Sequence, residues 1–359
     1  MKNAKVAVLK TKPESVIDDY IKLGRMAGIS DFLVKGKTTI LKDNISWHFP
    51  FPSANTTPWQ LEGCIRALQE EGFADLIDIH NETVVTNPYK GERLNKFDVV
   101  YKKYNIPVKY NFKKQDINWV RFNPKGKMLA LPRIFPEGIN IPEFFIGKNI
   151  VHLPTVKTHI YTTMTGAMKN AFGGLLNTRR HYTHSVIHET LVDLLMIQKE
   201  IHSGLFCMMD GTTCGSGPGP RTMTPVQKDI IIASGDMVAI DAVSAKIMGF
   251  EPMDIPFIRL AHEKKLGVGV MDQIEIIGED ISSWNFNFNV GDNMASLAGD
   301  LFWFSPLKAF QKLFFHTPLV YLFVFASYFY HDFLWYPIKG QRVFDQWLKT
   351  DWGRLFEKY

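Results

Sequence analysis

Short apolar runs alternate with helix-patterned pieces along most of this chain, and that alternation restricts the fold more than any other feature. "KVAVL" (5–9) has the make-up of a buried strand and is followed by a helical stretch over 14–27. "TTILK" (38–42) is strand-like again. Pro58 then opens "PWQLEGCIRALQEEG", in which Leu61, Ile65 and Leu68 recur at helical spacing and Gly72 suits the C-terminal stop. "ADLIDIH" (74–80), a helix over 92–104 and "IPVKY" continue the series. Beyond residue 148 come "KNIVHLP", a helix over 186–202, "GLFCMMDG" ending at Asp210 and "KDIIIASGD" ending at Asp236. Helices over 237–249 and 254–265 and the strand "DQIEIIG" follow. Strands and helices in turn, joined by short connections, predict an α/β fold with a mostly parallel sheet built from βαβ units. That domain is expected to occupy residues 1–290, with a basic, proline-bearing, irregular segment at 111–143.

Residues 291–359 have another character. "FWFSPLKAFQKLFFHTPLVYLFVFASYFYHDFLWYPIKG" is dense in aromatics, yet its uncharged run from Pro318 to Tyr330 is short of the ~20 residues a spanning helix needs. An aromatic, amphipathic helical tail is expected. Two placements stay open: flat on a membrane surface, with Lys308, Lys312, Lys339 and Arg342 flanking it, or packed on the body or on a second copy through residues 302–340.

A net charge of +5 is too mild to make a nucleic-acid binder. Nine Lys or Arg stand between Tyr101 and Arg133 against Asp116 alone, but no nucleic-acid motif accompanies them and a solvated surface accounts for them. Three cysteines, Cys64, Cys207 and Cys214, cannot ligate an iron–sulfur cluster with four thiolates or form a disulfide framework. "MKNAKVAVLK" lacks the apolar run of a secretory leader. A cytoplasmic setting is therefore expected, with attachment to the inner face of a membrane as the variant that the tail allows.

The polar signals point to an anion. From Phe144 to His188 there is no Asp or Glu, while the same window holds Lys148, Lys157, Lys169, Arg179, Arg180 and five histidines. In open parallel sheets ligands bind beyond the carboxyl ends of the strands. Lys42 and Asn44, then His80, Asn81 and Glu82, then Lys157 and His159, then Asp210 and finally Asp236 all follow such ends. Each has a plainer reading: a lysine can be a surface lysine, and Asp236 is well placed to cap a helix. Small residues at Thr165, Gly166 and Ala167 would let backbone N–H groups approach a phosphate or carboxylate. The Walker pattern GxxxxGK[ST] is absent. "TTCGSGPGPRTMTP" (212–225) is either a glycine-rich cradle with Arg221 as clamp or a lid, and Cys214 within it has no evident base beside it. His181, His184 and His188 have metal-ligand spacing if one helix carries them all.

Several of these stretches together resemble the family known as domain of unknown function 362. They are "GKTTILKDN", "TTPWQLEGCIRALQEEG", "HLPTVKTHIYTTMTGAMKNAFGGL", "MMDGTTCGSGPGP" and "IIASGDMVAIDAVSAKIMGFEPMDI". The resemblance extends from about residue 5 to residue 278 and leaves the aromatic tail as an extension. Many relatives add a ferredoxin-like module, which the three cysteines here do not supply. The resemblance marks Lys42, Asn44, Lys157, His159, Lys169, Asn170, Asp210 and Asp236 as shared motif positions and implies no particular reaction.

The expectation is an enzyme acting on an anionic, phosphorylated or carboxylated small molecule. Lys42, Asn44, Lys157, Lys169, Asn170, Arg221 and Asp236 would bind it, His159 would serve as general acid or base, and Asp210 would orient His159 or take a proton. The alternative is an accessory protein that carries a ligand or metal without transforming it, attached to a membrane surface through its tail.

Overall fold

The computed structural model describes residues 4–83, 85–293, 305–306, 310, 313–314 and 317–359. Its centre is a ten-stranded sheet whose main path runs β12-β1-β11-β10-β7-β2-β3-β4. These strands are β1 (Ala4–Lys10), β2 (Thr39–Lys42), β3 (Leu76–His80), β4 (Val108–Tyr110), β7 (Asn149–His152), β10 (Gly204–Ser216), β11 (Thr224–Ser234) and β12 (Ile274–Gly278). Two shorter strands, β8 (Thr155–His159) and β9 (Thr163–Met164), attach to β10 at the side. Within 111–143 the chain forms a separate antiparallel pair, β5 (Trp119–Phe122) and β6 (Ile139–Pro142).

Alternation along the strands sends side chains to opposite faces, and both faces are covered. Val6, Val8, Ile40 and Ile150 join one core with the helices Ile187–Ile201, Met237–Met248 and Pro256–Glu263. Ala7, Leu9, Leu41 and Val151 join the other, with the helices Val16–Met26, Pro58–Glu70 and Phe97–Tyr104. The helix at Pro58 starts as its sequence directs. Thr57 and Gln60 form a reciprocal capping box and proline takes the first turn. The helix expected over 92–104 is two, Pro88–Leu94 and Phe97–Tyr104, because Lys96 adopts φ 65° between them.

Two departures from the expected pattern govern the site. The strand through Asp210 does not end there: β10 continues to Ser216 and pairs with β11 in a long hairpin, so "TTCGS" is sheet and not a phosphate cradle. On the main path β11 alone runs against its neighbours, since it is antiparallel to both β1 and β10. Its carboxyl end, Ser234, lies opposite Cys207, near where β10 begins. Asp236 therefore sits at the opposite rim from the carboxyl ends of β2, β3 and β7.

The end of the tail is docked. Trp352 is fully buried, its indole N–H donates to Asp229 Oδ1 at 2.7 Å, and its ring centroid lies 5.1 Å from that of Trp59. Phe344 and Phe356 enter the same core, and Trp347 donates to Thr213 Oγ1 at 3.1 Å. Upstream, the helix Val320–Tyr328 runs on into a π-helical stretch, Phe329–Gly340, anchored where Asp332 accepts from Trp47 at 2.7 Å and meets His48 at 3.2 Å. The outer side of that segment is not docked: Tyr321, Leu322, Phe325, Phe329 and Phe333 are exposed. Among the described residues no helix is long and apolar enough to cross a membrane.

If docking of the tail is part of the fold, Trp352→Ala should cost about 3–5 kcal/mol in denaturant unfolding. Phe325→Ala, at an exposed position, should change stability by less than about 0.5 kcal/mol. Equal, small effects would show that the tail contributes no packing energy.

Candidate functional site

The parallel strands β2, β3 and β7 end side by side, in register Ile40↔Ile150 and Ile40↔Ile77. Beyond their carboxyl ends lies a cleft of about 170 Å3, lined among others by Lys42, Asp43, Asn44, Lys169, Arg180 and Arg221. Five of the sequence-predicted ligand residues border it: Lys42, Asn44, Lys169, Asn170 and Arg221.

The turn carrying Lys169 and Asn170 is held from inside the protein. Asp241, on the helix Met237–Met248, accepts from the backbone N–H of Ala167 at 2.6 Å and of Met168 at 3.0 Å. The amides expected to face a ligand anion are thus taken by the protein's own carboxylate. Gly166 permits this approach. It has φ 132°, and a Cβ there would stand 2.3 Å from Asp241 Oδ1. Asn170 then reaches back, its side-chain N–H donating to the Lys42 carbonyl at 2.8 Å and lying 3.2 Å from His152 Nδ1. With its backbone so fixed, Lys169 stands half-buried at the cleft.

The cleft is electropositive. Arg180 Nη2 donates to the Glu82 carbonyl at 3.0 Å, and its buried Nη1 has no hydrogen-bond partner. Arg221 Nε donates to the Ser46 carbonyl at 3.1 Å and Nη2 lies 3.4 Å from Thr86 Oγ1. Burial, and then the neighbouring Arg180, lower Lys169 to about 8; burial lowers Arg180 and Arg221 to about 10 each. Asp43 is the carboxylate among the lining residues, and it is already engaged: Lys42 Nζ lies 3.4 Å from its Oδ1, and His80 Nδ1 lies 3.3 Å from its Oδ2.

Other predicted residues are placed elsewhere. Lys157 is buried under the cleft wall, where its ammonium donates to the Ala54 carbonyl at 2.6 Å and Thr155 Oγ1 at 3.0 Å, with Ser46 Oγ at 3.4 Å. Burial and Lys169 push its pKa well below the ordinary lysine value. Its position secures the loop that carries Asn44 and Ser46. His159 does not line the cleft; its Nδ1 accepts from the Tyr161 amide at 3.1 Å, and burial, aided by Lys169, keeps it neutral. Asp210 accepts five hydrogen bonds, from Tyr20, Thr57, Trp59 and, twice, Thr212. His159 is not among these donors, so the expected pairing of His159 with Asp210 is not formed. Asp236 caps the helix Met237–Met248 through Val238 and Ala239 and also accepts from Val268. Cys214 is buried.

The three histidines do not share one helix. His181 and His184 lie in the 3-10 segment Thr178–Val186, and the α-helix begins at Ile187, so the i, i+3, i+7 geometry is not built. His184 Nδ1 donates to the His181 carbonyl at 2.8 Å, and His188 stacks on Phe257.

Sequence reasoning passed over Asp43 and Asp78. Beside the cleft floor, Asp43, Asp78 and His80 are each nearly or fully buried, with ligand-type atoms all within 4.8 Å of one another. Asp78 is fully buried and neither of its oxygens has a hydrogen-bond partner. Burial and Asp43 raise Asp78 to about 8. Burial works against a charged His80, but Asp43, Glu92 and Asp78 outweigh it and bring His80 to about 10. A signal for Asp78 was present: a carboxylate inside the otherwise apolar "LIDIH", with isoleucine on either side.

The Lys169 shift has a thermodynamic signature. Its amine binds a proton less tightly in the folded protein (about 8) than in the unfolded chain (10.5), so the unfolded state holds more protons between those values. Its contribution to stability should therefore be least below about pH 8 and rise up to about pH 10.5. The difference in urea-unfolding free energy between wild type and Lys169→Met should climb in favour of wild type across that window. A flat difference would show that Lys169 titrates as a solvated lysine.

One curated relative is a thylakoid-associated protein of Synechocystis, 27% identical over 122 residues. That match takes in 33% of this chain and 37% of the relative, so the chain spans well under half the length of the protein it resembles. No solved structure matches the chain. Residues 39–246, more than half of the sequence and all of the strands and turns that build the cleft, match the family described as Domain of unknown function (DUF362), and the chain belongs to that family.

Proposed function

We propose that this protein is an enzyme that binds an anionic small molecule, phosphorylated or carboxylated, in the cleft at the carboxyl ends of β2 and β3. One observation carries the reading. Lys169, Arg180 and Arg221 converge on a space whose lining carboxylate, Asp43, already has two cationic neighbours. Arg180 Nη1 is buried without a partner, and leaving a charged donor unmatched is costly. An anion would supply charge-assisted acceptors to all three and would favour the charged form of Lys169. Asp43, which lines that space, is a group able to exchange a proton with a bound substrate.

Calorimetric titration with inorganic phosphate and with succinate tests the binding step. Saturable binding of one of them is expected, weakened at least about 10-fold in Lys169→Met and in Arg180→Ala, since a hydrogen bond to a charged group contributes about 1.5–3 kcal/mol. Affinity unchanged in both variants would remove the cleft as the site. Turnover is tested on whatever compound co-purifies: its conversion by wild type supports an enzyme, and its passage through unchanged supports an accessory carrier.

A second reading concerns location. Tyr321, Leu322, Phe325, Phe329 and Phe333 form an exposed, mainly aromatic apolar stripe, while the far end of the tail is pinned to the body. Such a stripe, followed by Lys339 and Arg342, suits the interface of an anionic bilayer. The thylakoid association in the relative's description agrees with this placement. Wild type should sediment with vesicles of phosphatidylglycerol and phosphatidylcholine, and Phe325→Glu combined with Phe329→Glu should stay in the supernatant. Equal sedimentation of both proteins would overturn the reading.

A further inference from the structure

We infer that Asp43, Asp78 and His80 form a binding site for one divalent transition-metal ion. Its ligands are all protein groups, and it shares Asp43 with the anion cleft, where a bound ion would take over from His80 as the positive charge beside that carboxylate.

The placement follows from the sheet. Leu41 of β2 is in register with Asp78 of β3, so two residues further on Asp43 comes beside His80. Asp78 and His80, two apart on one strand, point to the same face. His80 Nδ1 is 3.3 Å from Asp43 Oδ2 and 3.9 Å from Asp78 Oδ1. Two ligands each about 2.0–2.2 Å from a common ion stand roughly 3–3.5 Å apart. The His80–Asp43 pair is already at coordination spacing, and all three ligand atoms lie within 4.8 Å of one another.

Three features point beyond an ordinary acidic cluster. First, Asp78 is completely buried and neither oxygen has a hydrogen-bond partner, while the Tyr101 hydroxyl beside it lies 3.4 Å from His80 Nε2. Buried polar groups almost always have partners, and an exception calls for an ion, a water or a functional role. Second, Asp43 Oδ2 makes no hydrogen bond and faces the His80 imidazole at 3.3 Å, its other carboxylate oxygen being near Lys42. Third, the histidine is already oriented. With Nδ1 toward the two carboxylates, Nε2 is 3.4 Å from Glu92 Oε2. This is the outer carboxylate that fixes the tautomer and ring plane of a metal-ligating histidine.

Two carboxylates and one imidazole suit manganese, iron(II) or zinc better than magnesium or calcium, which take oxygen ligands alone. Asp43 also lines the cleft, which gives the ion an entrance.

The test starts from full-length protein stripped with chelator and titrated with Co2+, read by visible absorption, and with Mn2+, read by electron paramagnetic resonance. One equivalent is expected to bind. Asp78→Asn, which keeps the shape of the side chain, and His80→Gln should each abolish that stoichiometric binding. Glu92→Gln should weaken it about 10–100-fold. Lys169→Met should bind metal like wild type, even where it loses phosphate. Circular dichroism and cooperative unfolding establish that each variant is folded. Absence of saturable binding to wild type would overturn the assignment, and so would binding that persists undiminished in folded Asp78→Asn or His80→Gln.

Discussion

The contact of Asp241 with the amides of Ala167 and Met168 is the constraint on which the cleft depends. It joins a helix packed under one face of the sheet to a turn lying above the strand ends. Gly166 makes the contact possible, because any side chain at φ 132° would meet the carboxylate. Once those amides are held, Asn170 closes the arrangement by bonding to the Lys42 carbonyl. The turn is thereby tied to the end of β2. The backbone positions of Lys169 and Lys42, and so the charge of the cleft, follow from hydrogen bonds made by neighbours rather than by the lysines themselves.

Charge in this region is divided between two compartments. On the cleft side, Lys169, Arg180 and Arg221 crowd together, and burial makes each a weaker base than it would be in water. On the side of β2 and β3 toward the helix Phe97–Tyr104, Asp43, Asp78 and His80 are packed with little access to solvent. Lys42 and Asp43, adjacent in sequence, stand on the boundary between them. A like-charged group beside a low-dielectric wall is unfavourable unless an opposite charge joins it. The first compartment thus gathers positive charge, while the second sets two carboxylates around one imidazole.

The tail combines two roles that its composition suggests separately. Trp347, Trp352 and Phe356 fill the groove beside Trp59, and Asp332 is tied to Trp47 and His48. The intervening aromatic face remains on the outside. Apolar density alone does not distinguish these ends. What does is the presence of polar partners on the body for the indole N–H groups of Trp347 and Trp352, at Thr213 and Asp229.

By itself the sequence determined the α/β class, the strands of the main sheet path and the start of the helix at Pro58, and it singled out Lys42, Asn44, Lys169 and Asn170, which the fold brings to one cleft. Hydrophobic period, capping residues and strand-end position are local properties, and each is written within a few neighbouring residues. Strand direction is not local. The reversal at β11 moves Asp236 to the far rim, and the continuation of β10 past Asp210 buries that residue among five donors. The same holds for the amides before Lys169, whose anion proved to be Asp241, more than seventy positions away. Nor could spacing unite Asp43 with Asp78 and His80, since only the parallel register of β2 with β3 brings them together. Tertiary structure decided these points because a buried polar group is defined by its partners, and here the partners come from distant parts of the chain.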